Sequence, residues 1–358
     1  MVEFVDSTKY FGERKFNRPI IFDELKELKR IKVDQKLEVI RESDNLERLE
    51  DYRRMELKVV PIQRISENGF ASVGRKSFPP RVMVEMTGRC NLKCRMCPRK
   101  SMTRPLVNMN KNLYMKIIDE LDRYGVDAFW FFHFGESVTH PDWKEIVSYA
   151  DKKENLGIRW FSTNGVVFNE EAIDFVLNSR ITFLNYSMHA TNAYVYSFVS
   201  LKENYLKVRS NFEKLLVRKR ELGRGPIIHV QMIDQEGTHN NINEFVETFY
   251  SMEGVEIVSI LSLEYVYVEG NEFGKKRDRL ATVKRCNRIS REDCFVHCSG
   301  KVVLCDADFN DEEAIGDLNE SSLSEIWNSE KRKEILRLND AGEMYKREFC
   351  LKCTDFDF

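Results

Sequence analysis

The sequence lacks an excess of either charge and lacks a long apolar run. Its 358 residues carry 56 basic and 58 acidic side chains, and the net charge of -2 gives no general attraction to nucleic acid or to an anionic membrane surface. The most apolar stretch, residues 128–134, is far too short to cross a bilayer, and the N-terminus lacks the hydrophobic region of a signal peptide. We therefore expect a cytoplasmic protein with no nucleic-acid or membrane partner.

Internal repeats and low-complexity tracts are also lacking, and the cysteines do not suggest a disulfide framework. There are nine cysteines, an odd number, and they fall into two groups along the chain. In a reducing cytosol, grouped cysteines point to metal ligation rather than to disulfides.

The pattern of apolar residues divides the chain into three parts. Residues 1–80 form a charged extension, for which the sparse Leu and Ile predict one or two surface helices. Residues 81–265 alternate short apolar runs with amphipathic stretches, and residues 266–358 form a small Cys-rich domain. The predicted strands are 81–86, 128–133, 158–162, 183–188, 227–232 and 255–261. Strands separated by helices predict an α/β fold with a parallel sheet that curves into a partial barrel, with its site at the carboxyl ends of the strands.

The first cysteine group, Cys90, Cys94 and Cys97, directly follows the first predicted strand with the spacing CxxxCxxC. Three thiolates can bind three irons of a 4Fe-4S cube and leave the fourth iron free to bind a substrate. Zinc is the rival metal, but structural zinc takes four ligands, and no fourth ligand lies nearby in the sequence. The spacing therefore favours an iron-sulfur cluster.

With this triplet after strand one, the chain resembles the radical S-adenosylmethionine (SAM) superfamily from about residue 81 to residue 261. The resemblance implies a partial (βα)6 TIM-like barrel, with Cys90, Cys94 and Cys97 as ligands of a 4Fe-4S cluster whose open iron binds SAM. It also implies reductive cleavage of SAM to a 5'-deoxyadenosyl radical. Met96 occupies the bulky position near the adenine in this family, and a core-filling role is the alternative.

Three later segments resemble the SAM-binding motifs of the same family. Gly135, Glu136 and Ser137 follow the second strand like its GGE motif, with Phe134 in place of the first glycine. Glycine allows a close approach of the backbone, and the carboxylate suits the amino group of SAM. Further SAM contacts are expected at the ends of the third and fourth strands, at Ser162, Asn164 and Ser187. His189 is either a base that faces the substrate or a structural loop histidine.

The C-terminal cysteines resemble the SPASM/twitch extension of the superfamily, which carries auxiliary 4Fe-4S clusters. Four of the six follow its spacing and are expected to bind one auxiliary cluster: Cys286, Cys305, Cys350 and Cys353. A zinc ribbon is the alternative for the terminal CxxC pair. Cys294 and Cys298 are left over, either as catalytic thiols or as buried inert ones.

The resemblance implies an enzyme with SAM and two 4Fe-4S clusters as cofactors and a flavodoxin- or ferredoxin-like electron donor. We expect hydrogen abstraction from a small polar substrate, such as a sugar, an aminocyclitol or a nucleoside-linked compound. Dehydrogenation would send the surplus electron to the auxiliary cluster, whereas epimerisation would need a thiol, Cys298 or Cys294, to return a hydrogen atom. Modification of a ribosomally made peptide is the alternative within catalysis, and a non-catalytic zinc-binding scaffold is the alternative outside it.

Overall fold

The computed structural model describes residues 76–235, 237–262 and 285–353, together with short strands at 36–40, 65–66 and 69–70. Ten strands form one open sheet in the order β1-β9-β8-β7-β6-β5-β4-β10-β11-β12, and β2 pairs with β3 separately. Strand β1 spans Lys36–Ile40, β2 spans Ile65–Ser66 and β3 spans Gly69–Phe70. The sheet does not close, which confirms the partial barrel.

Six consecutive parallel strands form the centre of this sheet, as the apolar runs predict. They are β4 (Arg81–Val84), β5 (Ala128–Trp130), β6 (Ile158–Thr163), β7 (Phe183–Ser187), β8 (Ile227–Asp234) and β9 (Ile257–Ser262). Each pairs in parallel with the next. Because parallel neighbours end at the same edge, the loops after these strands converge at one end of the barrel.

The helices that connect the strands bury one apolar face against the sheet. They are α1 (Lys111–Tyr124), α2 (Trp143–Asp151), α3 (Glu170–Leu177), α4 (Ala193–Ser200), α5 (Tyr205–Leu222) and α6 (Ile242–Tyr250). In α1 the buried positions are Tyr114, Ile117, Ile118 and Leu121, the i, i+3, i+4, i+7 spacing of the sequence. Short 3-10 turns at Pro98–Ser101, Ser137–Thr139 and His239–Asn241 complete the connections.

The C-terminal region continues the barrel sheet. Strand β10 (Asp293–Val296) pairs in parallel with β4, and β11 (Lys301–Val303) and β12 (Gly316–Asp317) follow antiparallel. Its helices are α7 (Asn287–Ser290), α8 (Leu323–Trp327), α9 (Glu330–Ala341) and α10 (Glu348–Lys352), with a 3-10 turn at Met344–Lys346. This pairing places the C-terminal region beside β4, the strand that precedes the first cysteine group.

The charged N-terminal extension differs from its prediction where it is described. Residues 36–40 form a strand antiparallel to β9 instead of a helix, because they cover the open edge of the barrel sheet. The rest of the helical prediction, and most of residues 1–75, lies outside the described residues. Among the described helices, none is both long and apolar enough to cross a membrane.

Candidate functional site: a cavity beside the first cysteine group

The ends of four parallel strands enclose a cavity of about 280 Å³ beside the first cysteine group. The predicted residues that line it are Cys90, Cys94, Met96, Cys97, Gly135, Glu136, Ser162, Asn164 and Ser187. His133 and His189 line it as well. The structure therefore brings together every cysteine of the first group and nearly every residue predicted to contact SAM.

The loop that carries the first cysteine group is held by the turn after β5. The backbone nitrogen of Glu136 donates a hydrogen bond to the carbonyl of Arg89, at 2.9 Å. A Cβ atom at Gly135 would lie 1.7 Å from the carbonyl oxygen of Thr87, so only glycine fits this contact. Gly135 thus serves the close packing of two loops, which explains why the motif keeps this glycine although Phe134 replaces the first.

Polar side chains at the end of β6 connect this turn to the cysteines. The carboxylate of Glu136 accepts hydrogen bonds from the Thr163 hydroxyl at 2.9 Å and from the Asn164 backbone nitrogen at 2.7 Å. The Asn164 amide donates to Asn91 at 2.8 Å and contacts the Cys90 sulfur at 3.6 Å. Glu136 and Asn164 therefore form one polar network at the cavity wall.

Burial changes the protonation of the groups in this network. It raises the pKa of Glu136 to about 7, although the hydrogen bonds from Asn164 and Thr163 oppose the shift. Burial also raises the pKa of Cys90 to about 11, with a further increase from the charge of Glu136, and the pKa of Cys94 to about 12. The pKa of Cys97 is raised by burial too. Three half-buried thiols with raised pKa values stay protonated at neutral pH unless a cationic centre, such as the irons of an iron-sulfur cluster, binds them as thiolates.

Three other predicted residues do not reach the cavity. Ser137 is buried, and its hydroxyl donates to the carbonyl of Phe131 at 2.8 Å, within its own turn. Cys294 is buried in β10 beside Val82 of β4. Cys298 is buried after β10, where its sulfur lies 3.2 Å from a guanidinium nitrogen of Arg104. The structure therefore does not place Ser137 or either spare thiol against a ligand in this cavity.

The second cysteine group is assembled from distant parts of the C-terminal region. Cys286 precedes α7, Cys305 follows β11, and Cys350 and Cys353 lie in and after α10. Burial raises the pKa of Cys305, and burial raises that of Cys350 to about 12; the charge of Cys286 adds to both shifts. Cys353 also raises the pKa of Cys350. The four thiols are thus close enough to influence one another.

Polar pairs fix the segments that carry these cysteines. The Arg288 guanidinium contacts both carboxylate oxygens of Asp306 at 2.6 Å. The Asn339 side chain accepts from the backbone nitrogen of Cys286 at 2.6 Å and donates to the Cys286 carbonyl at 3.2 Å. These contacts lock the turn of Cys286 against α9 and against the residue after Cys305.

Both groups offer thiols alone, which is the donor type that holds 4Fe-4S clusters. The first group has three thiols at the cavity, one fewer than the four ligands of a structural zinc site.

Sequence reasoning missed His133, which follows β5 and lines the cavity. It lay inside an apolar run, where the aromatic neighbours suggested only a buried strand. The signal that could have found it is its position one residue before the Phe134-Gly135-Glu136 turn, at the carboxyl end of a parallel strand.

Comparison with known proteins supports both halves of this arrangement. The family model of the radical SAM superfamily matches residues 84–236, and that of the SPASM iron-sulfur cluster-binding domain matches residues 286–354. A tungsten-containing aldehyde ferredoxin oxidoreductase cofactor-modifying protein from Pyrococcus furiosus is 24% identical over 291 residues, which cover 69% of this chain and 80% of that protein.

Two solved structures share the fold. BtrN in complex with AdoMet and 2-DOIA has a TM-score of 0.53 and 17% identity, over 79% of this chain and 95% of BtrN. Streptococcus suis SuiB bound to the precursor peptide SuiA has a TM-score of 0.51 and 12% identity, over 97% of this chain and 80% of SuiB. With the CxxxCxxC loop at the cavity, residues 84–236 form a radical SAM domain and residues 286–354 form a SPASM domain, so SAM and 4Fe-4S clusters are the cofactors of this chain.

Proposed function

We propose that the protein oxidises a carbon-hydrogen bond of a small polar substrate by a radical SAM reaction. When bound, SAM and the reduced first cluster supply a 5'-deoxyadenosyl radical that takes a hydrogen atom. A base of the protein would take the proton, and a cluster held by Cys286, Cys305, Cys350 and Cys353 would supply an acceptor for the remaining electron. In this proposal, residues 1–80 are an extension, residues 81–265 form the radical SAM barrel, and residues 266–358 form the auxiliary-cluster domain.

One observation carries the choice of oxidation over epimerisation. Among the described residues that line the cavity, the only thiols are the three ligands Cys90, Cys94 and Cys97. A redox-neutral epimerisation needs a thiol that returns a hydrogen atom to the substrate radical. Cys294 and Cys298 are buried elsewhere, and burial raises the pKa of Cys298 to about 11. Oxidation needs no such donor.

The auxiliary cysteines supply the electron acceptor that oxidation requires. Four thiols, Cys286, Cys305, Cys350 and Cys353, can ligate all four irons of one cluster. A fully ligated cluster has no iron left to bind a substrate, so electron transfer is the role that suits it. An external flavodoxin- or ferredoxin-like protein would reduce the first cluster at the start of each cycle.

The SAM site in this proposal consists of the cavity residues around the first group. Glu136 accepts a hydrogen bond from the amino group of SAM, while Ser162, Asn164 and Ser187 offer polar contacts at neighbouring strand ends. Met96 provides the apolar contact near the adenine. Gly135 keeps the loop of Cys90 close enough for these residues to act on one ligand.

A small polar substrate is the first choice because BtrN, which shares the fold over 95% of its length, is named with the small molecule 2-DOIA. Peptide modification is the second candidate. It is favoured by SuiB, whose complex with a precursor peptide shares the fold over 97% of this chain.

The test is anaerobic incubation of the reconstituted protein with SAM, dithionite and a panel of probes in deuterated water. The probes are an aminocyclitol, a nucleotide sugar and short peptides that contain Ser or Cys. We expect one probe to stimulate 5'-deoxyadenosine formation and to yield a product lighter by two hydrogens. A product of unchanged composition that carries one carbon-bound deuterium from solvent would instead establish epimerisation and overturn the proposal.

A further inference from the structure

His133 lies where the cavity meets the C-terminal region. Its ring lines the cavity, and within the described structure its Nδ1 atom is buried without a hydrogen-bond partner. On the other side, the ring of His297 stacks against it with centroids 5.2 Å apart and an angle of 20° between the planes. His133 also stacks against Phe295 of β10, at 5.4 Å. Two residues of the C-terminal region therefore fix the orientation of a histidine that belongs to the barrel.

His297 is itself fixed in place. Its side chain is fully buried, and its Nδ1 atom is hydrogen-bonded to the carboxylate of Asp311. Asp311 adopts a left-handed backbone conformation with φ of 64°, which is unusual for a residue other than glycine. Its carboxylate also accepts a hydrogen bond from the Ser299 hydroxyl at 3.4 Å. The pair of His297 and Asp311 forms a rigid support behind His133.

Burial and four neighbouring groups set the pKa of His133, and the groups act in opposite directions. Burial lowers its pKa to about 3, and His297 and Arg104 lower it further, whereas Glu85 and Asp306 raise it. At neutral pH the imidazole is therefore uncharged and can accept a proton. Asp306 follows Cys305, a proposed ligand of the auxiliary cluster, so His133 lies on the side toward which the electron would leave.

We propose that His133 is the proton acceptor of the oxidation, with His297 as its positioning residue. This inference rests on the proposed function. For a substrate alcohol, the oxidation would remove a carbon-bound hydrogen atom, the hydroxyl proton and one electron, and the C–O bond would become C=O. The hydrogen atom would go to the 5'-deoxyadenosyl radical that bound SAM would supply, and the proton would go to His133. The electron would go to the oxidised cluster that Cys286, Cys305, Cys350 and Cys353 would hold.

His189 is the competing base, since it also lines the cavity and its Nδ1 atom also lacks a partner in the described structure. Burial alone lowers its pKa, to about 4. It lies after β7, and its backbone nitrogen is bonded to the Gln231 carbonyl at 3.1 Å. Among the described residues, no charged group and no C-terminal residue acts on its ring in the way that Asp306 and His297 act on His133. His133 is therefore the better placed of the two.

The first test measures protonation without turnover, by hydrogen-deuterium exchange at the imidazole C2 position in the reconstituted protein, read by mass spectrometry. This exchange proceeds through the imidazolium form, and each unit of pKa changes the imidazolium fraction about tenfold. We expect His133 at pH 8 to exchange at least about tenfold more slowly than the exposed His239, and His297→Gln to accelerate exchange at His133. The matched control, His239→Gln, should leave it unchanged. Equal rates at His133 and His239, or no effect of His297→Gln, would overturn the inference.

The second test measures the reaction with the probe that the wild-type protein oxidises. His133→Gln should lower product formation by about 10²–10⁴-fold, the range for loss of a general base. 5'-Deoxyadenosine formation without probe, measured in parallel, separates loss of the base from loss of SAM binding, and His239→Gln should behave like the wild type. Full product formation by His133→Gln would overturn the inference. The contradiction would be clearest if His189→Gln lost product formation, because His189 would then be the base. A redox-neutral wild-type product would instead defeat the proposed function, whatever the exchange experiment shows.

Discussion

The two cysteine groups are built in different ways. The first lies on one loop of eight residues, Cys90–Cys97, which backbone contacts from the turn at Gly135 and Glu136 hold against the cavity. The second collects cysteines from four positions between residues 286 and 353, and side-chain pairs such as Arg288 with Asp306 hold its segments. The first group has three thiols and opens onto a cavity, whereas the second has four. In the proposed function, the number of thiols and the access to a cavity separate a site for chemistry from a site for electrons.

The largest expected effect comes from removing the first group alone. With Cys90, Cys94 and Cys97 all replaced by Ala, SAM cleavage should be abolished, because no iron remains to bind and reduce SAM. Anaerobic iron and sulfide analysis should give about eight irons per wild-type chain and about four in the variant, with four irons per cube.

The control for this experiment is Cys294→Ala, which removes a cysteine outside both groups and should leave the iron content unchanged. The distinction between the groups would fail if the triple variant lost all its iron, since the second group would then depend on the first.

The second expected effect comes from removing the electron site. In Cys305→Ala the auxiliary cluster should be lost or degraded, because one of its four thiolates is missing. SAM cleavage without substrate should continue, but oxidation of the substrate should stop, because the electron of the substrate radical has no acceptor. Electron paramagnetic resonance of the reduced protein should show one cluster signal where the wild type shows two. Unimpaired oxidation by this variant would contradict the division of roles.

The sequence predicts the features that depend on neighbouring residues, but it does not predict contacts between residues that lie far apart in the chain. The CxxxCxxC loop and the six parallel strands are local patterns, since a strand buried on both faces is a continuous apolar run. The pairing of β10 with β4 joins residues more than two hundred positions apart, and no local pattern predicts it. This is also why the stacking of His297 on His133 was not expected. Helix α4 was missed because Ala193–Ser200 is rich in aromatic and β-branched residues, which favour strands.

Gly135→Ala should affect the first group and leave the second intact. The added Cβ would collide with the carbonyl oxygen of Thr87, so the loop of Cys90 must move. We expect partial loss of the first cluster, seen as a drop in iron toward four per chain and a matching drop in SAM cleavage.

Gly223→Ala is the matched control, because no atom of another described residue lies within 4 Å of its added Cβ and only its positive φ of 61° is strained. It should cost about 1 kcal/mol of stability and leave the iron content unchanged. If Gly135→Ala kept full cluster occupancy, the contact with Thr87 would not be what holds the loop.

The smallest expected effect is a pH dependence of SAM binding that belongs to the first group alone. Burial raises the pKa of Glu136 to about 7, so the free protein carries a neutral Glu136 below that pH and a carboxylate above it. Only the carboxylate can form a charge-assisted hydrogen bond with the amino group of SAM, worth about 1.5–3 kcal/mol, or roughly ten- to a hundredfold in affinity.

The affinity of the wild type for SAM should therefore exceed that of Glu136→Gln at pH 8, and the ratio of the two affinities should fall toward one as the pH drops through 7. SAM titrates equally in both proteins, and in samples of equal iron content the cysteines are bound as cluster ligands, so the ratio isolates Glu136. Equilibrium binding measurements at several pH values, on samples of equal iron content, would show this. A ratio that stays constant from pH 6 to pH 8 would mean that Glu136 only joins the turn after β5 to the end of β6, through Thr163 and Asn164.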